Sequence, residues 1–230
     1  DRSGARVLLA LKAFSMWSLA GLVEEYLDGC CTSGLWESRL AREKNFVPQK
    51  NEKVLSTFSP ALREEEIEEI CSLSDHLIFN SPHAFGLQYA RKSGVSTGLR
   101  INPELSLGLD PKYDPCAENS RLGYPMSKLG TGELSGFQGL HFHTLCEQNF
   151  EPLLKTWQRI EQQLGGTLHH LEWINLGGGH HCTRDDYDRD GLAELISQIS
   201  QKYEVEVFLE PGEAVALDAG ILVGEVLDIM

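Results

Sequence analysis

Eight short apolar runs punctuate the sequence at spacings that leave room for a helix between most neighbours. They fall near Val7–Lys12, Leu27–Ser33, Lys53–Phe58, His76–Ser81, Ser96–Asn102, Gly136–His143, Leu171–Gly177 and Val205–Gly212. Short aliphatic and β-branched runs bounded by turn residues read as buried strands. Four intervening segments carry helical periodicity. Trp17–Leu27 spaces Leu19, Leu22, Val23 and Tyr26 along one side, and Arg63–Leu73 opens on Glu64-Glu65-Glu66 before Ile67, Ile70 and Leu73. Acidic residues suit the positive end of a helix. Glu151–Leu164 and Asp190–Lys202 are longer, the second marked by Leu192, Leu195, Ile196 and Ile199. Strands alternating with helices predict a parallel sheet, and eight of them predict an α/β fold closed into a (β/α)8 barrel. An open doubly wound sheet is the alternative, but it would gather its ligand at one switch point. The stretch Asn102–Gly132 is rich in Pro, Gly and Asp and reads as a loop excursion over one face, ordered by Pro103, Pro111 and Pro115.

A chain of 230 residues can bury one barrel-sized core. Its net charge of -14 and lack of a basic stripe argue against nucleic acid as a partner, and acidity suits a cationic ligand without demanding one. The six cysteines, Cys30, Cys31, Cys71, Cys116, Cys146 and Cys182, form no CxxC pair, so neither a zinc site nor a disulfide framework is signalled. A reducing cytoplasm fits that usage. No run is long enough to span a membrane, and the opening residues lack the features of a signal peptide. There is no initiating Met and the first strand begins almost at once, which suggests a truncated front.

Chemistry-bearing residues gather where strands end. Lys12 closes the first run, and a lysine near apolar walls sheds its charge readily and can form a Schiff base. A surface lysine is the plainer alternative. The seventh run ends in Gly177-Gly178-Gly179-His180-His181. Three glycines let backbone amides surround an anion, and the loops after strands seven and eight are the favoured phosphate site of barrels. A flexible turn would use the same residues. The eighth run ends in Glu210-Pro211-Gly212-Glu213, which places the Glu210 carboxylate at the mouth of the barrel, where it needs a partner. The sixth contains His141-Phe142-His143, with both imidazoles on one face at period two. Together with His180 and His181 these could hold a metal, so a metallohydrolase is a rival reading. It lacks an acidic ligand on strand one or four. Taken together the four motifs describe a pyridoxal 5'-phosphate site. Lys12 would carry the cofactor, His143 would stack on its ring, the glycine turn would hold its phosphate, and Glu210 would protonate its pyridine nitrogen.

The segments Leu8–Ser15, Gly139–Gln148, Asn175–His181 and Leu209–Ala216 resemble the fold-type III pyridoxal-phosphate decarboxylases, whose barrel is of the alanine racemase kind. Within that group the chain is similar to the carboxynorspermidine/carboxyspermidine decarboxylases, through His141–Gln148, Gly177–His181, Glu210–Leu217, Cys116-Ala117 and Ser120–Gly123. The resemblance implies Lys12, His143 and Glu210 as catalytic, with Gly177, Gly178, Gly179 and Gly212 around the phosphate. Racemases of this fold carry an arginine where Glu210 stands, so a carboxylate here implies loss of carbon dioxide. Ornithine-type relatives carry an arginine where Glu213 stands. The reversed charge implies that Glu213 meets a substrate ammonium, or alternatively pairs with a protein cation such as Arg121. The implied reaction converts carboxynorspermidine or carboxyspermidine to norspermidine or spermidine. Diaminopimelate- or ornithine-type decarboxylation and a non-catalytic cofactor-binding barrel are the alternatives. The resemblance also implies a homodimer and a β-rich carboxyl-terminal domain. The barrel is expected over residues 1–214, and residues 215–230 are expected to begin that second, largely absent domain.

Overall fold

The computed structural model describes residues 3–48, 52–108, 110–221 and 223–229. Eight parallel strands form the barrel: β1 (Arg6–Ala10), β2 (Gly29–Thr32), β3 (Val54–Phe58), β4 (His76–Phe79), β5 (Ser96–Asn102), β6 (Gly139–His141), β7 (Trp173–Asn175) and β8 (Glu206–Leu209). Each pairs with its sequence neighbour. Arg6 sits opposite Phe208 and Val7 opposite Leu209, which joins β1 to β8 and closes the cylinder. A two-residue strand, Tyr124–Pro125, adds to the outer end of β5. The open-sheet alternative is thereby excluded.

The barrel is filled by residues that alternate inward along the strands. Leu8, Val54, Ile78, Trp173 and Phe208 make one interior cluster. The Trp173 indole occupies the centre, and two glycines make the space for it. A Cβ on Gly98 would lie 2.3 Å from Trp173 Cη2, and one on Gly139 would lie 2.1 Å from Trp173 Cε2. The indole N–H donates to Ser96 Oγ at 2.9 Å, and the His76 ring stacks on the indole at 4.4 Å. Because successive strand residues face opposite ways, the inward Gly98 places Arg100 and Asn102 on the same inner face, nearer the carboxyl end. Lining the outside of the strands, Leu77, Leu99, Leu140 and Ile174 pack with the helices.

Among the described residues, seven α-helices surround the strands: α1 (Ala20–Tyr26), α2 (Leu35–Glu43), α3 (Ile67–Leu73), α4 (Leu87–Ser93), α5 (Phe150–Leu168), α6 (Arg189–Tyr203) and the four-residue α7 (Glu213–Ala216). The last two long ones dominate the outer core. Leu153, Trp157, Ile160 and Leu164 of α5 and Leu192, Leu195, Ile196 and Ile199 of α6 are buried in it. The sequence reading gave helices at the positions of α1, α3, α5 and α6. It did not give α2 or α4. The crossover from β5 to β6 carries no α-helix among its described residues, only 3-10 turns at Pro111–Tyr113, Met126–Lys128 and Glu133–Gly136. That matches the expected excursion.

Several strands end earlier than the apolar runs suggest. β1 stops at Ala10, so Lys12 sits two residues beyond it in a turn, where Ala13 and Phe14 both donate to Ala10 O. β6 stops at His141, β7 at Asn175 and β8 at Leu209, which leaves His143, Gly177 and Glu210 on the following loops. α7 runs across residue 214, the expected domain boundary. Between 217 and 229 the described residues form no strand, and Ile221, Val223, Val226, Leu227 and Ile229 are exposed. Among the described residues no helix is long and apolar enough to cross a membrane.

Candidate active site

The carboxyl ends of the strands surround a cavity of about 450 Å³, within the range of small-molecule sites. Lys12, Phe58, Arg100, His143, Glu210 and Gly212 contribute to its wall, from β1, β3, β5, β6 and β8 or the loops that follow them. Gly179, His180, His181, Glu213 and the exposed Glu147 complete the side towards β7 and β8. Lys12 is exposed to this space, so its amine is accessible.

Glu210 is the electrostatic centre. Its carboxylate is 6% exposed. Asn175 Nδ2 donates to Oε1 at 2.7 Å, and His141 Nε2 lies 3.1 Å from Oε2. Burial opposes its charge, yet the imidazole neighbours, His141 foremost through its hydrogen bond, hold the carboxyl well below the usual carboxylate range. The imidazoles respond the other way. Burial pushes His143 down to about 4, outweighing the attraction of Glu210, and lowers His141 as well. Both rings are therefore neutral at physiological pH. His141 donates Nε2–H to the carboxylate, and its Nδ1 is buried without a partner. The Gly178 N–H donates to His143 Nδ1 at 3.3 Å, which makes that nitrogen an acceptor and puts the ring proton on Nε2.

Asn175 links the centre to the glycine turn. Its Oδ1 accepts from Gly177 N–H at 2.9 Å while its amide serves Glu210. The turn requires all three glycines. Gly177 and Gly179 have φ of 70° and 80°, and a Cβ on Gly178 would lie 2.0 Å from Glu210 O. The backbone there passes too close to β8 for any side chain. At the adjoining wall, a Cβ on Gly212 would lie 2.5 Å from Ala13 Cβ, so Gly212 brings the Glu210 loop against the Lys12 turn.

Arg100 is buried at 5% exposure, and burial pushes its guanidinium down to about 10 while Glu210 pulls it back up. It donates to His143 O at 2.9 Å and lies over the Phe58 ring at 4.5 Å. This fixes the backbone that carries His143. Glu213 stands in the first turn of α7, and its Oε2 is 3.3 Å from His181 Nε2. The nearby protein partner of Glu213 is thus His181, not Arg121, whose carbonyl accepts from Asn80.

All the sequence-predicted residues, Lys12, His143, Gly177, Gly178, Gly179, Glu210, Gly212 and Glu213, therefore come to one end of the barrel. The four-histidine metal arrangement does not assemble. His180 turns to Tyr187 and His181 to Glu213. Donor atoms of His141, His143 and Glu210 do lie within 4.8 Å of one another. In this structure those atoms bond within the protein, His143 Nδ1 accepting from the Gly178 amide and the Glu210 carboxylate accepting from Asn175 and His141. Sequence reading missed Arg100, Asn175 and Phe58. An arginine inside Gly98-Leu99-Arg100-Ile101, on the same face as a glycine, was the available signal for the first.

A buried, ionised carboxylate facing a cavity, with an accessible lysine and a side-chain-free turn at its rim, fits pyridoxal phosphate. The cofactor's pyridinium would answer Glu210, and its carbonyl carbon would answer Lys12.

No family model matches the chain. It is 42% identical over 230 residues to the carboxynorspermidine/carboxyspermidine decarboxylase of Campylobacter jejuni, covering 100% of this chain and 59% of that protein. It is 35% identical to the carboxyaminopropylagmatine decarboxylase of Synechocystis over 228 residues, 97% of this chain and 57% of that protein. The crystal structure of Campylobacter jejuni carboxynorspermidine decarboxylase complexed with norspermidine superposes with a TM-score of 0.82 at 41% identity, covering 94% of this chain and 54% of that chain. The chain thus spans little more than half the length of these relatives. Along that span, by sequence and by barrel, it is a homologue of the carboxynorspermidine/carboxyspermidine decarboxylases, within the fold-type III pyridoxal-phosphate decarboxylase family.

Proposed function

We propose that this chain is the cofactor-binding barrel of an enzyme that decarboxylates carboxynorspermidine or carboxyspermidine, giving norspermidine or spermidine and carbon dioxide. The observation that carries the reading is the Glu210 carboxylate, buried, ionised and open to the same cavity as Lys12. Bound there, the cofactor supplies an electron sink for the bond to the departing carboxylate. Lys12, whose amine opens onto the cavity, would hold the cofactor. Glu210 keeps a proton on the ring nitrogen, with Asn175 and His141 fixing the carboxylate's plane. His143, whose backbone carbonyl accepts from Arg100, would flank the ring. The glycine turn and Gly212 leave space for the phosphate. Glu213, oriented by His181, accepts a hydrogen bond from a distal ammonium of the polyamine.

The barrel is assigned to residues 1–214, and the exposed apolar side chains of Ile221, Val223, Val226, Leu227 and Ile229 support assigning 215–230 to the start of a further domain. A homodimer of the full-length protein belongs to the same reading. Diaminopimelate- or ornithine-type decarboxylation is the rival among enzymes. Glu213 disfavours it, since a carboxylate there suits a longer polycation.

The test is an absorption spectrum of the protein with pyridoxal phosphate, before and after carboxynorspermidine, with product and carbon dioxide assayed in the same tube. A visible band that Lys12→Ala abolishes, followed by norspermidine, supports the proposal. A band without product points to a cofactor-binding barrel that is not catalytic over this span. No band, or one that survives Lys12→Ala, would sink it.

A further inference from the structure

His180 is buried to 2% exposure, yet it lines the cavity next to Gly179. Its Nδ1 is 2.7 Å from the Tyr187 hydroxyl. Tyr187 is itself buried, packed against the Phe150 ring in the outer core. No acceptor for its hydroxyl hydrogen other than His180 is present among the described residues. Burial also pushes the Tyr187 phenol up, so it keeps its proton.

Hydrogen accounting then fixes the imidazole. If Nδ1 carried the ring proton, it would donate to the tyrosine oxygen and strand the tyrosine hydrogen in apolar surroundings. Such a stranded donor is costly. With Tyr187 O–H donating to Nδ1, every buried hydrogen is used, and the ring proton moves to Nε2. Burial, with His143 and His181 nearby, pushes His180 down to about 4, so the ring is neutral at physiological pH. The cavity also needs such a donor. Lys12 and Arg100 are the only lysine or arginine among its described lining residues. Lys12 is assigned to the cofactor's carbonyl carbon, and Arg100 is spent on His143 O and the Phe58 ring. Glu147 and Glu213 make the mouth acidic. A phosphate entering this wall depends on neutral donors.

We propose that His180 binds the cofactor's phosphate group through Nε2–H, and that Tyr187 is the positioning residue that locks the tautomer. This rests on the cofactor reading above.

Two measurements test it on the intact chain. The first is the tautomer of His180, read from nitrogen-15 shifts of histidine-labelled protein without cofactor and assigned with His180→Gln. An Nε2–H ring supports the proposal, and an Nδ1–H ring overturns it. The second compares dissociation constants for pyridoxal phosphate and for pyridoxal, which lacks the phosphate. His180→Leu should weaken pyridoxal phosphate roughly 10- to 100-fold, the range for a hydrogen bond to a charged group. It should leave pyridoxal within about twofold, with partial recovery in His180→Gln, which keeps a donor. Tyr187→Phe should lower the phosphate preference in the same direction. Equal losses for both ligands, or no loss for either, would overturn the role of His180 while leaving Lys12 as cofactor lysine. If the unaltered protein binds neither ligand, the cofactor reading fails and this assignment with it.

Discussion

At the scale of single residues, the site turns on how one buried charge is kept. Glu210 stays ionised because Asn175 and His141 hydrogen-bond it in place of water. Asn175 carries two duties, one to the carboxylate and one to the Gly177 amide, and it is wholly buried. Asn175→Ala should therefore cost about 2–3 kcal/mol of folding stability, since it strips one hydrogen bond from a buried charge and orphans an amide. Urea unfolding at pH 7.5 measures this, and a loss under about 0.5 kcal/mol would show that water replaces the side chain fully. The sequence singled out Glu210 and Lys12 because each ends an apolar run. Asn175 and Arg100 were hidden for the opposite reason. They lie within runs, and a polar residue inside a strand announces nothing about which face it takes until its neighbours in space are known. The partner of Glu213 was equally illegible, since His181 meets it only after the loops of β7 and β8 fold together.

Among the elements, strands were easier to locate than helices, and the misses have a physical cause. α2 buries Leu35, Ser38 and Ala41. Its inner face is a hydroxyl cluster, in which Ser38 Oγ is 2.8 Å from Thr32 Oγ1 and 3.1 Å from Thr57 Oγ1. A helix that packs on serine and threonine leaves little apolar periodicity to read. α4 buries only Leu87 and Ala90. In the opposite sense, Gly165-Gly166 does not end α5, which runs on to Leu168, because Leu164 and Leu168 remain buried against the barrel. The inward face of the barrel was not legible either. Gly98 and Gly139 look like weak points in strands, yet both exist to admit Trp173. Gly139→Ala should cost at least about 3 kcal/mol, the upper range of overpacking, because the added methyl meets a ring enclosed on every side. Trp173→Leu should recover part of that loss in the double variant, a coupling readable from a four-protein denaturation cycle. Strictly additive losses would show that the glycine is needed for its backbone and not for the indole.

For the molecule as a whole, buried histidines set how it responds to acid. Burial pushes His76, His143 and His180 each down to about 4, against about 6.5 in an unfolded chain. Between those values the unfolded state binds more protons than the folded one, so folding stability must fall as the pH drops from about 6.5 towards 4. Each histidine contributes up to about 3 kcal/mol to that fall. Glu210 acts in the same direction in a lower window. Its carboxyl is held below the unfolded value, so the stability it supplies is present above about 4.3 and lost as it protonates in the folded state. The three histidines sit at different depths of the barrel. His76 lies in the interior stack, between Trp173 and the edge of Phe208, far in register from the carboxyl ends of the strands. It can therefore be altered without touching the proposed site. His76→Phe keeps an aromatic ring on the indole and removes the titration. Its stability should change less than that of the unaltered protein between pH 7 and 4.5, by about 2 kcal/mol, in urea titrations at matched ionic strength. Parallel pH profiles would mean that water reaches His76 in the folded state and that its burial does not govern the acid response. A narrower profile would show that acid sensitivity originates in the packed centre of the barrel as well as at its mouth, because neutral rings are what both layers are built to hold.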